Sequence, residues 1–298
     1  DSAPVRRFRR AREEPTRTCR DSIGTTASSF VSGALFPVAV ILLWWAGSRA
    51  GLWNPFLLPS PQAVLSAAWK LTLSGELPMN ILTSMGRIVA GFGLSCGLAL
   101  PFGVILGLRP SLGKLLYPTL EFLRHVPPLA MLPLLILWFG IGEASKTVVI
   151  LLATFFPVFL NTLDGVRRCD AGLVEVGRSL GFTGTRIFRR IVFPSALPSI
   201  LTGLRLGLGY SWRALIGAEL IAASSGLGYM IHDAESLSRS DVIVVGILAL
   251  GLVGALSDHL FFRLARAATP WKEASASCDG RSEEHTSELQ SRLHHVCR

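Results

Sequence analysis

Long apolar stretches constrain this chain more than any other feature of its sequence. Several of them reach the roughly 20 residues that a helix needs to cross the hydrocarbon core of a membrane. Half of the residues are hydrophobic, and only 16% are charged. Because lipid offers no partner for backbone polar groups, segments of this kind cross it as helices. The sequence therefore predicts an all-α, polytopic membrane protein with about six transmembrane helices, and not a soluble domain with one core.

The apolar stretches also give the order of the predicted spans. These lie at 30–50, 81–108, 115–139, 147–166, 196–223 and 241–262. The third contains Pro127, Pro128 and Pro133, so we expect a broken helix there, facing protein or a water-filled path. The connection before the second span carries a short amphipathic piece at 63–73, and residues 224–240 are expected to form an outer loop.

The positive charges follow the connections between the spans. The net charge is +9, which could suggest a nucleic-acid partner, but the charges cluster at the ends of apolar runs, as orientation signals do. If the N-terminus is cytoplasmic, cytoplasmic segments hold eighteen Lys and Arg residues and the opposite side holds four. This bias predicts a cytoplasmic N-terminus and no nucleic-acid binding.

The two ends of the chain differ in composition from its centre. Residues 1–29 hold seven arginines and predict a disordered basic cytoplasmic arm, with a transit or signal peptide as the alternative. The chain starts at Asp1, so we expect its N-terminus to be incomplete. Residues 268–298 form a tail. Within it, 281–298 begins with RSEEHTSELQS, which resembles translated sequencing-adapter DNA, so we expect an artefact, or otherwise a disordered polar tail.

The most charged connection with helical patterning is EVGRSLGFTGTRIFRRIVFP at 175–194. We predict two short helices that meet at Gly181, because glycine tolerates the left-handed geometry found just past helix ends. Thr183 or Thr185 can cap the second helix, and Pro194 is expected to end it. Its apolar residues share one face, and its arginines lie off that face. The unit could offer a face to a partner, or it could pack on its own bundle.

This connection resembles the EAA loop of ABC importer permeases. Glu175, Gly181 and Pro194 keep the spacing of that pattern, whereas Val176 and Gly177 replace its two alanines. The family docks the loop on a separate ATPase subunit, so the resemblance implies a coupling loop at 169–194. The residues implied to couple are Glu175, Val176, Gly177, Gly181, Phe182, Phe188 and Pro194.

The resemblance extends over residues 57–267, to permeases of the nitrate, sulfonate and taurine branch, with the sulfonate members most similar. Matching phrases include SMGRIVAGF at 84–92, LAMLPLLILWFGIGEASK at 129–146 and AASSGLGYMI at 222–231. It implies a MetI-like permease domain at 30–267 in a homodimer of the bacterial inner membrane. The implied partners are an ABC ATPase subunit and a periplasmic or lipid-anchored substrate-binding protein. The chain itself would be no enzyme, would carry no cofactor, and would pass a small anion such as an aliphatic sulfonate, taurine or nitrate.

Charged residues within or near the spans are candidates for the translocation path. Placing a charge in a membrane costs free energy, so such residues usually have a function. The candidates are Arg124, Arg205, Arg213 and Glu219. The structural alternative pairs Arg213 with Glu219 or a carbonyl, and it places Arg205 near the interface with its head in water. Arg87 and His125 face the same choice.

Other classes of protein leave weaker signals. A secondary transporter or channel would be favoured by inverted repeats, and the two halves show no convincing one. The turn GIGEASK at 140–146 imitates a phosphate-binding loop but lacks its second glycine and its strand–helix context. His232 lies near Asp233 and Glu235, where a solvated cluster is the ordinary explanation. None of the five cysteines forms a CxxC pair, so no metal site or disulfide framework is expected.

Overall fold

A computed structural model describes residues 22–270 of the chain, with side chains from residue 35 onward. Most of the predicted arm at 1–29 and nearly all of the predicted tail at 268–298 lie outside the described residues. Within 22–270 every regular element is a helix. The predicted all-α class is confirmed.

Eleven α-helices follow one another along the described residues. They are α1 Ser22–Arg49, α2 Pro61–Leu73, α3 Glu76–Leu108, α4 Pro110–Arg124, α5 Leu132–Phe139, α6 Glu143–Arg167, α7 Ala171–Ser179, α8 Gly184–Ile187, α9 Phe193–Ala222, α10 Leu227–Ser236 and α11 Ser240–Ala268. A 3₁₀ turn, Pro128–Met131, precedes α5, and a π-helical turn, Phe188–Val192, joins α8 to α9.

Four helices among the described residues are long and apolar enough to cross a membrane: α3, α6, the continuous helix Gly184–Ala222, and α11. A fifth crossing results if α4 and the segment Pro128–Phe139 count together, and these two are bent by 79°. The predicted broken third span is thereby confirmed. The predicted first span corresponds to α1, whose described apolar part, Leu35–Arg49, is shorter than a full crossing.

The chain divides into two compact units near the start of α2. In the first, the indole nitrogen of Trp44 donates a hydrogen bond to the carbonyl of Pro59 at 3.1 Å, which ties the end of α1 to the connection that follows. The second unit begins at Gln62 and contains all the later helices.

The core of the second unit is built around α6, which packs along both α3 and α9. Ala99 and Leu106 of α3 are buried against Val158 and Phe159 of α6. A Cβ atom added at Gly103 of α3 would lie 2.8 Å from the side chain of Thr162 of α6. Small residues on facing helices therefore allow the close approach on which packing in membranes depends.

The predicted outer loop at 224–240 is wrong in one respect, because it contains α10. Leu227, Met230 and Ala234 recur at helical spacing and are buried, which gives this short helix an apolar face. The two glycines at 226 and 228 hide that periodicity in the sequence. Both glycines are required by close contacts to α9, which no local pattern reveals.

Candidate functional site

The turn after α7 has the hydrogen bonds of a glycine-terminated helix. Gly181 lies at φ 73° and its backbone N–H donates to the carbonyl of Arg178 at 2.9 Å. The N–H of Phe182 donates to the carbonyl of Gly177 at 3.0 Å. These two bonds satisfy carbonyl groups that the helix end would leave unpaired. The predicted stop at Gly181 is confirmed.

The second helix begins at Gly184 and is preceded by one of the two threonines predicted to cap it. Thr183 occupies the N-cap position, but its side chain makes no capping hydrogen bond. The predicted apolar face is confirmed, since Ile187 and Val192 are buried and the arginines at 186, 189 and 190 are exposed. Val192 packs in a cluster with Val166 of α6 and Ala196 of α9.

The expectation that Pro194 ends the second helix is wrong. The backbone N–H of Phe193 donates to the carbonyl of Phe188, so the chain widens into a π-helical turn just before the proline. Proline lacks the N–H that a regular helix would use at position 194, and the wider turn places it at the start of the next regular stretch. The result is one continuous helix, Gly184–Ala222, of 39 residues.

A groove lies between α7 and this long helix. Gly177 is buried in it, and a Cβ atom there would lie 2.6 Å from the terminal methyl of Ile191. Leu173, Val176 and Leu180 line the groove from α7 and are between 52% and 67% exposed. We call this cleft of about 470 Å³ the α7 groove. Exposed apolar surface that is grouped in this way is typical of interaction sites.

The remaining loop residues surround this groove. Phe182 is half-buried, and the guanidinium of Arg186 lies 4.9 Å from the centre of its ring. Phe188 is half-buried against the same cluster as Val192. Pro194 lines the groove, whereas Glu175 is exposed and is not among the residues that line it.

A second, larger space of about 990 Å³ opens between α3, α4, the bent segment, α6 and α9. Its walls are mostly apolar, with Phe102, Phe155 and Leu206 among them. Arg124 and Arg213 both line it, so two of the predicted path residues come together. Arg124 also pairs with Glu121 one helical turn earlier.

The structure places the other two path candidates elsewhere. Arg205 makes two hydrogen bonds to Asp258 of α11, at 2.8 and 2.7 Å, and both side chains are nearly half exposed. Glu219 is fully buried. The alternative pairing of Arg213 with Glu219 is wrong, because Arg213 stacks on Tyr210, 5.1 Å from its ring centre, and Glu219 binds Arg87.

Glu219 belongs to an ion cluster at the end of the bundle opposite the α7 groove, in which three side chains are buried and that of Glu143 is 63% exposed. Arg87 of α3 binds both carboxylate oxygens of Glu143, each at 2.7 Å, and one oxygen of Glu219 at 2.6 Å. Lys146 donates to Glu143 at 2.9 Å. Two cations thus face two carboxylates. Arg87, Lys146 and Glu219 are at most 5% exposed, and such burial is tolerable only with this pairing.

This cluster is not predicted from the sequence. Arg87 and Glu219 are separate candidates among the charged residues of the spans, and Lys146 belongs to the turn that imitates a phosphate-binding loop. The signal that could have found it is depth in the membrane. The three residues lie on three different apolar helices but toward the same end of the bundle, and they carry charges of both signs. Charges that share a membrane depth are expected to pair, because unpaired charge there is costly.

The remaining motifs carry no chemistry in the described part of the chain. His232 lies 3.5 Å from Glu235 and both are exposed, as expected of a solvated cluster. Among residues 22–270, no group of His, Cys, Asp and Glu side chains could hold a metal ion.

Membrane-length helices around an open cavity, with a helical groove on the connection between two of them, define a polytopic membrane transport subunit. Residues 99–273 match the family described as "Binding-protein-dependent transport system inner membrane component". The Bacillus subtilis (strain 168) protein SsuC, named as an aliphatic sulfonates transport permease, is 39% identical over 86% of this chain and 92% of its own length. The taurine transport system permease protein TauC of Escherichia coli (strain K12) is 38% identical over 78% of this chain and 87% of its own length.

Among solved structures, an inward-facing conformation of the MetNI methionine ABC transporter matches with a TM-score of 0.56 at 18% identity. The match covers 66% of this chain and 98% of that one. At this identity it shows the fold, and the predicted MetI-like architecture is confirmed.

The chain belongs to the inner-membrane component family of binding-protein-dependent transport systems. It is a multi-pass permease subunit of an ABC importer, and the predicted family resemblance is confirmed. Membership decides against an independent secondary transporter or channel. In such systems the permease is the transport component, ATP hydrolysis belongs to a separate subunit, and a substrate-binding protein is the further partner.

Proposed function

We propose that the loop at 169–194 couples this permease to its ATPase subunit through the α7 groove. The observation that carries the proposal is an apolar groove whose exposed wall, Leu173, Val176 and Leu180, faces the start of the helix that becomes a membrane span. The exposed carboxylate of Glu175 adds a charge outside the groove that a basic partner residue would bind.

The continuity of the helix Gly184–Ala222 explains how a movement at the groove would reach the membrane. Ile187 and Val192 are buried in a cluster with Val166 of α6. This packing holds the first turns of the long helix against the bundle. ATP biases the permease only as far as its binding energy differs between the two access states. A stiff helix passes that bias on, whereas a flexible connection would dissipate it.

Proline substitutions at two glycines of the loop test the proposal. In Gly181→Pro the φ of 73° is incompatible with proline, and the hydrogen bond to the carbonyl of Arg178 is lost. Gly184→Pro is the matched control. Gly184 is the first residue of α8, where proline is accepted, a Cβ there meets nothing within 4 Å, and Thr183 already has the extended conformation that proline favours before it.

The two proline variants and the charge reversal Glu175→Lys are each assembled with the ATPase subunit and assayed for solute uptake and ATP hydrolysis. Gly181→Pro and the charge reversal Glu175→Lys are expected to insert in the membrane but to separate hydrolysis from uptake, while Gly184→Pro transports normally. Normal transport by Gly181→Pro and Glu175→Lys would show that the loop is not the coupler.

The solute is a small anion, and its path passes through the 990 Å³ cavity lined by Arg124 and Arg213. Apolar walls with two cations suit a compound that joins an anionic head to an apolar tail, as in the sulfonates for which one relative is named. Competition between labelled taurine, hexanesulfonate and nitrate for uptake, compared between a strain lacking this subunit and the same strain with the gene restored, tests the substrate class. A preference for nitrate would contradict the role of the apolar walls.

The working assembly is a homodimer of this chain with an ATPase subunit and a periplasmic or lipid-anchored substrate-binding protein. The N-terminus lies in the cytoplasm, in keeping with the excess of Lys and Arg on that side. The α7 groove then faces the compartment that contains ATP. Cross-linking of the purified complex would report the number of permease copies, and one copy per complex would contradict the dimer.

A further inference from the structure

The first amides of α10 are held by side chains from other helices. The N–H of Gly226 donates to Asn80 at 2.8 Å, and that of Leu227 donates to the hydroxyl of Ser84 at 2.9 Å. The N–H of Gly228 donates to Glu219 at 2.8 Å. The start of α10 therefore has no side-chain cap of its own and depends on α3 and α9.

The backbone of this segment fits closely around the carboxylate of Glu219. Gly226 lies at φ 110°, and an added Cβ would collide with that carboxylate. A Cβ at Gly228 would lie 2.6 Å from the Cβ of Glu219. Because both contacts fix the same side chain, α10 cannot slide along α9 without breaking its own hydrogen bonds.

Arg87 closes this arrangement from the other side. Its guanidinium donates to the carbonyl of Ser225 at 2.7 Å and to the hydroxyl of the same residue at 3.0 Å, in addition to Glu219 and Glu143. One planar fork thus connects α3, α6, α9 and the segment before α10. Lysine could not replace it, because a single ammonium group cannot reproduce this fixed geometry.

The cluster and the α7 groove lie at opposite ends of one helix. Glu219 is three residues before the last residue of Gly184–Ala222, whose 39 residues span about 58 Å at the rise of a regular helix. The first turns beside the groove and the residue that holds α10 are therefore parts of one helix.

We propose that Glu219 and Arg87 are positioning residues that make α10 move as one body with the long helix. A movement of the long helix at the groove would then reach the opposite side of the membrane. Binding of the substrate-binding protein on that side would in turn change the rate of ATP hydrolysis by the ATPase subunit. This inference rests on the coupling proposed above for the α7 groove.

The test measures ATP hydrolysis by the assembled transporter with and without the system's substrate-binding protein, in the presence of taurine or hexanesulfonate. In Glu219→Gln the ratio of stimulated to basal hydrolysis is expected to fall by about fivefold or more, in the range of ordinary coupling between sites. Asp258→Asn is the matched control, because it removes another pair between two spans, with Arg205, that lies outside the cluster. It is expected to keep the wild-type ratio.

The ratio distinguishes this role from a purely structural one. Loss of assembled complex lowers stimulated and basal hydrolysis in the same proportion and so leaves their ratio unchanged. Hydrogen exchange of residues 226–228 gives a second readout, and we expect faster exchange there in Glu219→Gln but not in Asp258→Asn. If that variant does not assemble, Asn80→Ala removes one hydrogen bond to the segment and leaves every ion pair in place. Asn80→Ala is then expected to lower the ratio of stimulated to basal hydrolysis, as Glu219→Gln would.

An unchanged ratio in Glu219→Gln or Asn80→Ala, or unchanged exchange at 226–228, would overturn the inference. A wild-type transporter whose hydrolysis does not respond to the binding protein would instead count against the proposed coupling itself.

Discussion

At the scale of single residues, Gly177 decides how closely α7 approaches the long helix. An added Cβ would lie 2.6 Å from the terminal methyl of Ile191, which is the flexible end of a side chain and can rotate away. Alanine also favours a helix over glycine by about 1 kcal/mol. We therefore expect Gly177→Ala to leave thermal stability unchanged or to raise it, as measured by unfolding of the purified protein in detergent.

A larger side chain at the same position serves as the contrast. Gly177→Leu would have to displace Ile191 and Ile187 together, and overpacking of this kind costs about 1–3 kcal/mol. The melting temperature should fall and uptake should decline. Equal stability of the alanine and leucine variants would mean that α7 is not held against the long helix.

Single residues also show where prediction from sequence ends. Gly181 was predictable, because the left-handed end of a helix depends on consecutive residues, here Gly177 to Phe182. The partner of Glu219 was not, because Arg87 is 132 positions away and Arg213 is only six. Sequence proximity favoured the wrong pair, since it contains no information about which helices pack together.

At the scale of elements, the π-helical turn Phe188–Val192 sets the rotation of the α7 groove relative to the membrane span. The turn holds one residue more than a regular helix would, so deletion of Arg189 alone would restore a regular helix with little rotation. Deletion of both Arg189 and Arg190 would in addition rotate everything before the turn by about 100°. The groove would then face away from its present direction. We expect the double-deletion variant to insert in the membrane but to lose uptake and to bind the ATPase subunit weakly, as measured by co-purification.

Arg189→Ala combined with Arg190→Ala is the matched control for that double deletion, since it removes the same two exposed side chains and keeps the length of the helix. It should transport and co-purify like the wild type. Loss of co-purification in both variants would assign the effect to the arginine side chains and not to the turn.

The elements of the fold were predictable to different degrees, for physical reasons. The apolar stretches gave the spans and the prolines gave the bent segment, because both signals act within one helix. The π-helical turn and α10 were missed. Pro194 usually ends a helix, but here the preceding turn widens to accommodate it. α10 begins at amides whose partners lie on α3 and α9.

At the scale of the whole molecule, the two functional regions lie at opposite ends of the bundle, so the proposed mechanism requires a defined orientation. The excess of Lys and Arg predicts that the α7 groove lies in the cytoplasm and α10 outside. Single cysteines can test this directly in a variant whose five native cysteines are replaced. Arg189→Cys and Ser236→Cys are suitable positions, because both residues are exposed and lie on the two connections in question.

A membrane-impermeant maleimide should label Ser236→Cys in intact cells, and it should label Arg189→Cys only after the membrane is permeabilised. Labelling of both cysteines in permeabilised cells controls for accessibility of the thiol itself. The expected pattern follows from the charge bias alone, since the cost of moving basic connections across the membrane selects one orientation. The reverse pattern would place the α7 groove in a compartment without ATP. No ATPase subunit could then act on the long helix, and the route from Gly181 to Glu219 would have no energy to transmit.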